Sequence, residues 1–403
     1  MKNKLLLAWL ILPVLMFSQT WADQNSGITN NLMSVHFIDD NNGWAVGLQG
    51  KIVRTTNAGA NWSQQNSGTT NDLHKVFMVN ANTGYAVGKN GVCVKYNGTS
   101  WSTLTINYSQ NMHGVFFLNA STGWISGDWG RIMMTTNGGT SWTTQVSNSN
   151  YVNLFYDVYM ISANEGWAVG TSGRVLKYNG TNWNNVTTPA TEDLYSVNFN
   201  NSTNGFMTGK SSKVFRYDGS SWIAQNTALP DNTYHINSVF TVNNNVAYAA
   251  TSPGFGGAGI ILKYDGSFWN KDYEYTGMGS EFFDGVTVTP GGIGFVVGAS
   301  GLIKSINTGV AGLNERNSNV NKISAYPNPF TNQTLIHFVT KASDEYELEV
   351  VDVRGKVVVK GDKKWFNAGD NTIQINGNTL NNGFYIYTLK SNNGNISGKL
   401  IKE

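Results

Sequence analysis

Apolar and polar positions along this chain trade places in short runs, and the period throughout is that of strands. From Met112 to Trp142 an apolar run, Val115 to Leu118, passes through a polar turn into Gly-Trp-Ile-Ser-Gly, and after Asp-Trp-Gly a further run follows from Arg131 to Thr136. An Asn-Gly-Gly turn then leads to Trp142 and a fourth segment. Runs of apolar and β-branched residues punctuated by Gly and Asn, with no helical period, predict a four-stranded antiparallel meander. The Gly-aromatic step of this unit recurs at Gly43-Trp44, Gly84-Tyr85, Gly123-Trp124, Gly166-Trp167, Gly205-Phe206 and Gly294-Phe295, and more loosely as Ala247-Tyr248. The tryptophan after the turn recurs at Trp62, Trp101, Trp142, Trp183, Trp222 and Trp269. A single such sheet cannot bury both faces unless neighbours stack on it, so a period of about 40 residues carrying four short strands predicts the blades of a propeller. Seven units predict one closed ring, in an all-β chain.

The array is incomplete at both ends. Thr20 to Leu32 aligns with Asn61 to Leu73 at a constant offset of 41 residues, so it is a fourth strand with no strands of its own before it. The seventh unit runs through Gly294 to Lys304 and stops, with Gly312 where its tryptophan is due. The N-terminal strand is therefore expected to complete the last blade, which removes the edges that an open ring would expose.

Composition fits a compact secreted β protein. The chain has 403 residues, 45 Gly, 13 Trp and 13% charged residues, and contains no heptads and no run of membrane-spanning length. Residues 1–18 have the order of a signal peptide, Lys2 and Lys4 followed by the apolar run Leu5 to Phe17. A cut after Ser18 leaves Gln19 as the mature N-terminus, whereas a cut after Ala22 would delete Trp21; the first is expected. The formal charge of +2 matches the two leader lysines, so the mature chain is close to neutral and no nucleic-acid or membrane-surface role follows. Cys93 is the only cysteine, which excludes an internal disulfide, and it reads as a small buried core side chain. No cofactor is implied, and a monomer is expected.

Two turn chemistries join the third and fourth strands. Thr55 to Trp62 and Thr135 to Trp142 read TTNAGANW and TTNGGTSW; the shorter version is YNGTSW, YNGTNW, YDGSSW and YDGSFW, starting at Tyr96, Tyr178, Tyr217 and Tyr264. Asn-Gly and Asp-Gly between strand residues favour a two-residue type I′ hairpin, in which both central positions take φ > 0. The longer turn resembles the Asp-box of bacterial neuraminidase-type repeats, with Asn in the Asp place. With the GWAVG strands at residues 43–47 and 166–170, the region from Trp21 to Gly309 resembles the seven-bladed propellers of the photosystem II stability and assembly factor type. Fold does not fix activity, so the resemblance implies architecture and leaves function to the residues.

Those residues argue against catalysis. A sialidase on such a propeller is expected to bring three arginines to one carboxylate, whereas Arg54, Arg131, Arg174 and Arg216 recur at strand positions of the repeat with no Arg-Ile-Pro motif. Glycoside hydrolysis needs a carboxylate pair across the scissile bond, and Asp39-Asp40, Asp128, Glu192-Asp193, Asp231 and Glu281 are scattered. A sialidase-like glycoside hydrolase acting on polysaccharide or glycoprotein is the alternative to a binding module. His74 and His113 hold the same place in adjacent units, and two histidines without a third ligand make a poor zinc site, so inheritance through the repeat is the reading. One column, Arg54, Lys95, Lys177, Arg216, Lys263 and Lys304 with Met134 the exception, reads as solvent-facing strand positions whose stems cover the sheet, or as a basic belt for an acidic polysaccharide. Loops that break the repeat are the better binding candidates: Asp128 and Trp129 in the third unit, Phe255 in the sixth, and Tyr234, His235, Tyr273 and Tyr275 in the connections between units. Both loop classes emerge on one face, where an aromatic surface for an extracellular glycan or protein is expected.

After Gly309 a polar stretch, residues 310–321, reads as linker, and residues 322–403 carry alternating charged strands of a small β-sandwich. YPNPF (Tyr326, Pro327, Asn328, Pro329, Phe330), VVDVRGKVV with Asp352, Arg354 and Gly355, LNNGFYIYTLK with Gly383 and Tyr385, and the terminal GKLIKE with Lys399 and Lys402 stand in order at the C-terminus. Together they resemble the type A sorting domain of the type IX secretion system of Bacteroidetes. The resemblance implies an address read by the outer-membrane translocon, with the cargo released or attached at the cell surface.

Overall fold

The computed structural model describes residues 20–147, 153–254, 257–275, 282–308, 320–340, 342–352, 356–391 and 394–403. The expected leader, Gln19, Phe255, most of the linker, Gly312, Glu281 and Arg354-Gly355 lie outside the described residues.

Strands follow one another in fours. The first sheet takes Leu32–Phe37, Gly43–Gly47, Ile52–Thr55 and Ser63–Gln65 in chain order, and five further sheets repeat it, opening with Leu73–Asn80, Met112–Phe117, Phe155–Ser162, Leu194–Asn201 and His235–Asn243. The seventh opens with Phe283–Val288, continues through Ile293–Gly298 and Ile303–Asn307, and draws its fourth strand, Ala22–Gln24, from the other end of the chain. There Ala22 pairs with Ser305, Asp23 with Lys304 and Gln24 with Ile303, as the two incomplete ends of the array required. The first strand of each sheet packs on the first strands of the sheets before and after it, and Phe283–Val288 packs on Leu32–Phe37. This is a propeller-like arrangement of repeated four-stranded sheets.

Aromatic side chains fill the space between sheets, because a Gly-aromatic step leaves one face of each second strand free for a large ring. Phe37 of the first sheet stacks on Phe295 of the seventh with centroids 4.1 Å apart. The turn-following tryptophans lean back on the preceding sheet: Trp101 Nε1 donates to Gln65 Oε1 and Trp183 Nε1 to Gln145 Oε1, both at 2.9 Å. Trp101, Trp222 and Trp269 are buried, whereas Trp62, Trp142 and Trp183 are half-buried.

Two expectations are corrected. In the short turns only Gly98, Gly180, Gly219 and Gly266 take positive φ, so these are not type I′ hairpins. Tyr96 pairs with Trp101 around a four-residue loop in which Asn97 Oδ1 accepts the N–H groups of Thr99 and Ser100 at 3.0 and 2.9 Å. The side chain thereby does the turn's hydrogen bonding and Asn97 keeps an ordinary φ. The basic column is also shorter than expected, since Lys304 stands nine residues after Phe295 where Arg54 and Lys177 stand ten after Trp44 and Trp167. Arg54 pairs across the sheet with Trp44 and Lys177 with Trp167, but in the seventh sheet Ser305 faces Phe295 and Lys304 faces Val296. A one-residue slip turns a side chain to the opposite face. Lys304 is accordingly 3% exposed, against the ring face of Tyr273 of the sixth sheet and ion-paired with Asp23.

The remaining members of the column are neither a solvent face nor an open belt. Arg54 lies 4.8 Å from the Trp44 ring centroid and donates to Tyr96 Oη of the next sheet at 2.8 Å. Arg216 donates likewise to Tyr264 Oη at 2.9 Å, and Lys177 lies over Trp167 and bonds Glu165. These cations tie neighbouring sheets through ring faces and hydroxyls.

From Val320 the chain forms two further sheets. One joins Val320–Tyr326, Gln333–Thr340 and Gly369–Asn376; the other orders Val357–Lys360, Asp344–Asp352, Gly383–Ser391 and Gly394–Lys402, with Lys364–Phe366 paired to the start of Asp344–Asp352. Ile336, Phe338 and Ile375 of the first share one apolar cluster with Tyr346, Leu348, Val350, Tyr387 and Leu389 of the second. No helix among the described residues is long and apolar enough to cross a membrane.

Candidate functional site

Every first strand of the seven sheets slips register near its start. The slips fall between Leu32 and Ser34, Leu73 and Lys75, Met112 and Gly114, Phe155 and Asp157, Leu194 and Ser196, Ile236 and Ser238, and Phe283 and Gly285. A bulge of this kind re-aims the extra side chain. The seven bulged residues, Met33, His74, His113, Tyr156, Tyr195, Asn237 and Asp284, all line one cavity of about 350 Å³ at the centre of the inner strands. The residue after the bulge has another task. Ser34, Ser196 and Ser238 Oγ and Asp157 Oδ2 each accept a backbone N–H from the next inner strand, at Val76, Val239, Val286 and Val197, at 3.2–3.3 Å. Lys75 reaches Asp157 at 3.1 Å past the third sheet, where Gly114 carries no side chain.

The cavity is lopsided. His74 stacks on His113 at 5.2 Å, His113 leans on Tyr156 at 5.4 Å, Tyr156 meets Tyr195 edge-on at 5.2 Å, and Tyr195 stacks on His235 at 5.7 Å. Phe77, Phe116 and Tyr159 form a second aromatic tier further along, and the sixth and seventh sheets contribute Asn237 and Asp284 opposite. Burial, then the neighbouring His113, hold the His74 imidazole below its usual value; burial, then Lys210, do the same for His235. Burial pushes the Asp284 carboxyl up to about 7, against the Asn237 amide that donates to it at 3.0 Å.

This shift has a sign in stability. Below pH 7 folded Asp284 keeps a proton that the unfolded chain has already lost, so its contribution to stability falls as pH rises from about 4 to 7. Asp284→Asn removes that slope: its melting midpoint relative to wild type is expected to improve steadily between about pH 4 and pH 7 in a calorimetric series. A constant difference across that range counts against a buried, proton-holding carboxyl.

The loop residues expected on one face fall into three groups. Asp128 is half-buried, and although burial pushes its carboxyl up, the His113 Nε2–H bond at 2.7 Å and the Asn111 amide pull it to a net value below the usual range. Its backbone oxygen accepts the Tyr108 hydroxyl at 2.7 Å, so one residue joins the mouth of the cavity to the surface beside it. Trp129 is 38% exposed and borders a groove of about 600 Å³ with Tyr108, Gln110 and Arg131, whose guanidinium lies 4.8 Å from the Tyr108 ring centroid. Tyr234, by contrast, is 6% exposed in the sixth-sheet core, and Tyr273 packs against Phe283 under Lys304; neither meets the Trp129 groove. Tyr275 packs on the same cluster as Tyr273, and His235 joins the cavity belt through Tyr195. Tyr108 and Arg131 were absent from the sequence-based binding set.

Trp129 holds an unusual backbone position. The turn between second and third strands places one residue at φ near +55° in several sheets: Gln49, Asn90, Ser172 and Ser300 elsewhere, and Trp129 in the third. Polar or small side chains tolerate that region; a tryptophan there costs about 1–3 kcal/mol. At Gln49, Ser172 and Ser300 the turn amide is held by a side-chain oxygen of the next connection, Asp72, Asp193 and Asn31, at 2.8–2.9 Å. Among the described residues no group of three His, Cys, Asp or Glu side chains could hold a metal ion.

The C-terminal motifs converge on one sheet. Asn328 Oδ1 accepts the Ile401 N–H at 2.8 Å, the N–H of buried Phe330 donates to Ile401 O at 2.9 Å, and Pro327 O accepts the Thr334 hydroxyl. Asp352 pairs with Tyr385, Gly383 with Lys402 and Ile386 with Lys399. The Tyr385 hydroxyl donates to Asn381 O at 2.7 Å, while Tyr326 stands exposed.

Comparison with known proteins agrees with both regions. Residues 324–403 match the family model of the secretion system C-terminal sorting domain, and residues 14–114 and 98–179 match that of the photosynthesis system II assembly factor YCF48. No curated protein sequence matches the chain. Among solved structures, YCF48 bound to D1 peptide is 18% identical with a TM-score of 0.58, covering 72% of this chain and 95% of that one. YCF48 from Cyanidioschyzon merolae is 17% identical with a TM-score of 0.59, covering 72% and 99%. PorZ, described as an essential bacterial surface component of the type IX secretion system of Porphyromonas gingivalis, is 13% identical with a TM-score of 0.54, covering 93% of this chain and 59% of that one. The chain thus carries a YCF48-like propeller region and a type IX sorting domain, and the latter directs it across the outer membrane to the cell surface or the extracellular space.

Proposed function

We propose that the protein is an exported binding module: a seven-bladed propeller closed by its N-terminal strand, presenting the Trp129 groove to an extracellular glycan, and followed by a small β-sandwich that serves as its address. The ring is supported by the pairing of Ala22–Gln24 with Ile303–Asn307 and by the stacking of Phe37 on Phe295; the sandwich by the apolar cluster that two C-terminal sheets share. One observation carries the binding site. A large exposed ring sits at a backbone position that disfavours it, over a groove with Tyr108, Arg131 and the Gln110 amide. Strain held at a partly exposed ring over a groove points to a role outside the fold. An aromatic face stacks on a sugar ring while guanidinium and amide groups reach its hydroxyls.

The reading is of binding without turnover. Asp157 is engaged by Lys75, Ser196 and the Val197 amide, and Asp128 by His113 and Asn111. Neither is left free as half of a hydrolytic carboxylate pair. A screen of the purified propeller against glycosides is expected to give no product.

The test is a glycan array read with wild type and Trp129→Ala. An aromatic anchor of this kind is worth about 2 kcal/mol, so the variant is expected to bind about 30-fold more weakly with an unchanged melting midpoint. Full retention of binding by a folded Trp129→Ala sinks the groove as the site. Capture of a protein ligand that depends on Trp129 would keep the site and replace the glycan.

A further inference from the structure

We propose that the central cavity is a second site, separate from the Trp129 groove, and that it takes an organic ammonium group between the aromatic wall of Tyr156, Tyr195 and His113 and the carboxyl of Asp284. Three observations carry this. The wall is built, since bulges at equivalent places on successive strands turn these side chains inward. The volume, about 350 Å³, falls within the range of sites that enclose a small ligand.

The third is the charge inventory. Lys75 is committed to Asp157, and His113 to Asp128. Asp284 receives the Asn237 amide, and no cationic side chain lies within ion-pair distance of it among the described residues. A carboxyl facing π surfaces across a cavity, without a counter-cation, is complementary to an ammonium: the rings attract the charge through their faces and the carboxylate accepts its N–H groups. The phenol of Tyr156, pushed up to about 12 chiefly by burial, stays protonated, and its oxygen makes no hydrogen bond among the described residues. It is available as a further acceptor. The same molecule already sets its own ammonium groups over rings, with Lys95 over Tyr85 and Lys263 over Tyr248.

The experiment is titration calorimetry of the full mature chain at pH 8 with 1,5-diaminopentane, and with 1,5-pentanediol as the uncharged control. The diamine is expected to bind and the diol not to. Asp284→Asn is expected to weaken diamine binding at least tenfold and Tyr156→Ala at least fivefold, with both variants still folded, while Trp129→Ala leaves it as in wild type. Should Asp284→Asn fail to fold, Tyr156→Ala decides alone. Equal binding of diol and diamine, unchanged binding by the folded variants, or loss of diamine binding in Trp129→Ala overturns the proposal. Because the glycan reading is tested through Trp129 and this one through Asp284 and Tyr156, either can fail without the other.

Discussion

A chain that begins at Asn25 is expected to lose the cooperative unfolding transition of the propeller, and Trp21→Ala in the intact chain to lower its stability by about 3–5 kcal/mol. Trp21 is 5% exposed, meets Tyr248 edge-on at 6.1 Å and donates Nε1–H to Asp272 Oδ2 at 2.7 Å, both in the sixth sheet. The three residues after it hydrogen-bond along Ile303 to Ser305, Asp23 pairs with Lys304, and Gln24 Nε2 donates to Ser305 Oγ at 2.9 Å. Removing the strand exposes the edge of the seventh sheet, strips the apolar cover from Tyr248, and leaves Lys304 buried without its carboxylate. The last effect is severe, because an uncompensated buried charge is strongly destabilising. Chemical denaturation of the truncated and full propellers decides the matter; equal midpoints and equal m-values would mean that the strand is ornamental. A leader removed ahead of Trp21 would preserve these contacts, so mass spectrometry of the secreted protein is expected to find Gln19 first.

Loss of residues 320–403 is expected to abolish export across the outer membrane while leaving the propeller folded in the periplasm. Each terminal motif supplies part of one structure, since the Tyr326-to-Phe330 segment bonds to the strand that ends the chain and the other motifs pair within the same sheet. Phe330→Ala, which empties a position 2% exposed, is expected to destabilise that unit by about 3–5 kcal/mol and to cut export with it. Fractionation of a host with the matching secretion system, followed by immunoblotting of medium, periplasm and cells, reads both variants. Truncated protein in the medium at the wild-type level would refute an address role for these residues.

The repeats were legible because glycine and tryptophan recur at spacings that only stacked sheets explain, and the pairing of the N-terminal strand with Ile303–Asn307 because Trp21 matches Trp62 in a segment with no strands before it. Register was less legible. Lys304 stands nine residues after Phe295, where Arg54, Lys95, Lys177 and Arg216 stand ten after their aromatic residue, and that difference of one places it in the core while Ser305 takes the column position. The short turns misled for a related reason: Asn-Gly favours φ > 0 at both positions only when the Asn side chain does not take over the turn's hydrogen bonds. The cavity wall escaped notice because a bulge breaks the alternation on which strand reading rests. A signal was nevertheless there. Leu32-Met-Ser-Val35, Leu73-His-Lys-Val76, Phe155-Tyr-Asp-Val158 and Phe283-Asp-Gly-Val286 share one pattern, an apolar residue, an inward-turned residue, a small or polar one, and valine. Tyr108 and Arg131 could not be found that way, since the groove depends on how one connection folds back over one turn.

The pairing of Asp23 with Lys304 spans 281 positions of sequence. Bringing such distant segments together carries a high entropy of loop closure, and contacts of this range form late. A nascent or translocating chain in which residue 305 has not yet emerged therefore keeps its first strand unclaimed, with the indole of Trp21 accessible to chaperones and peptidases alike. The join between head and tail can therefore latch only after the chain has been delivered through residue 305.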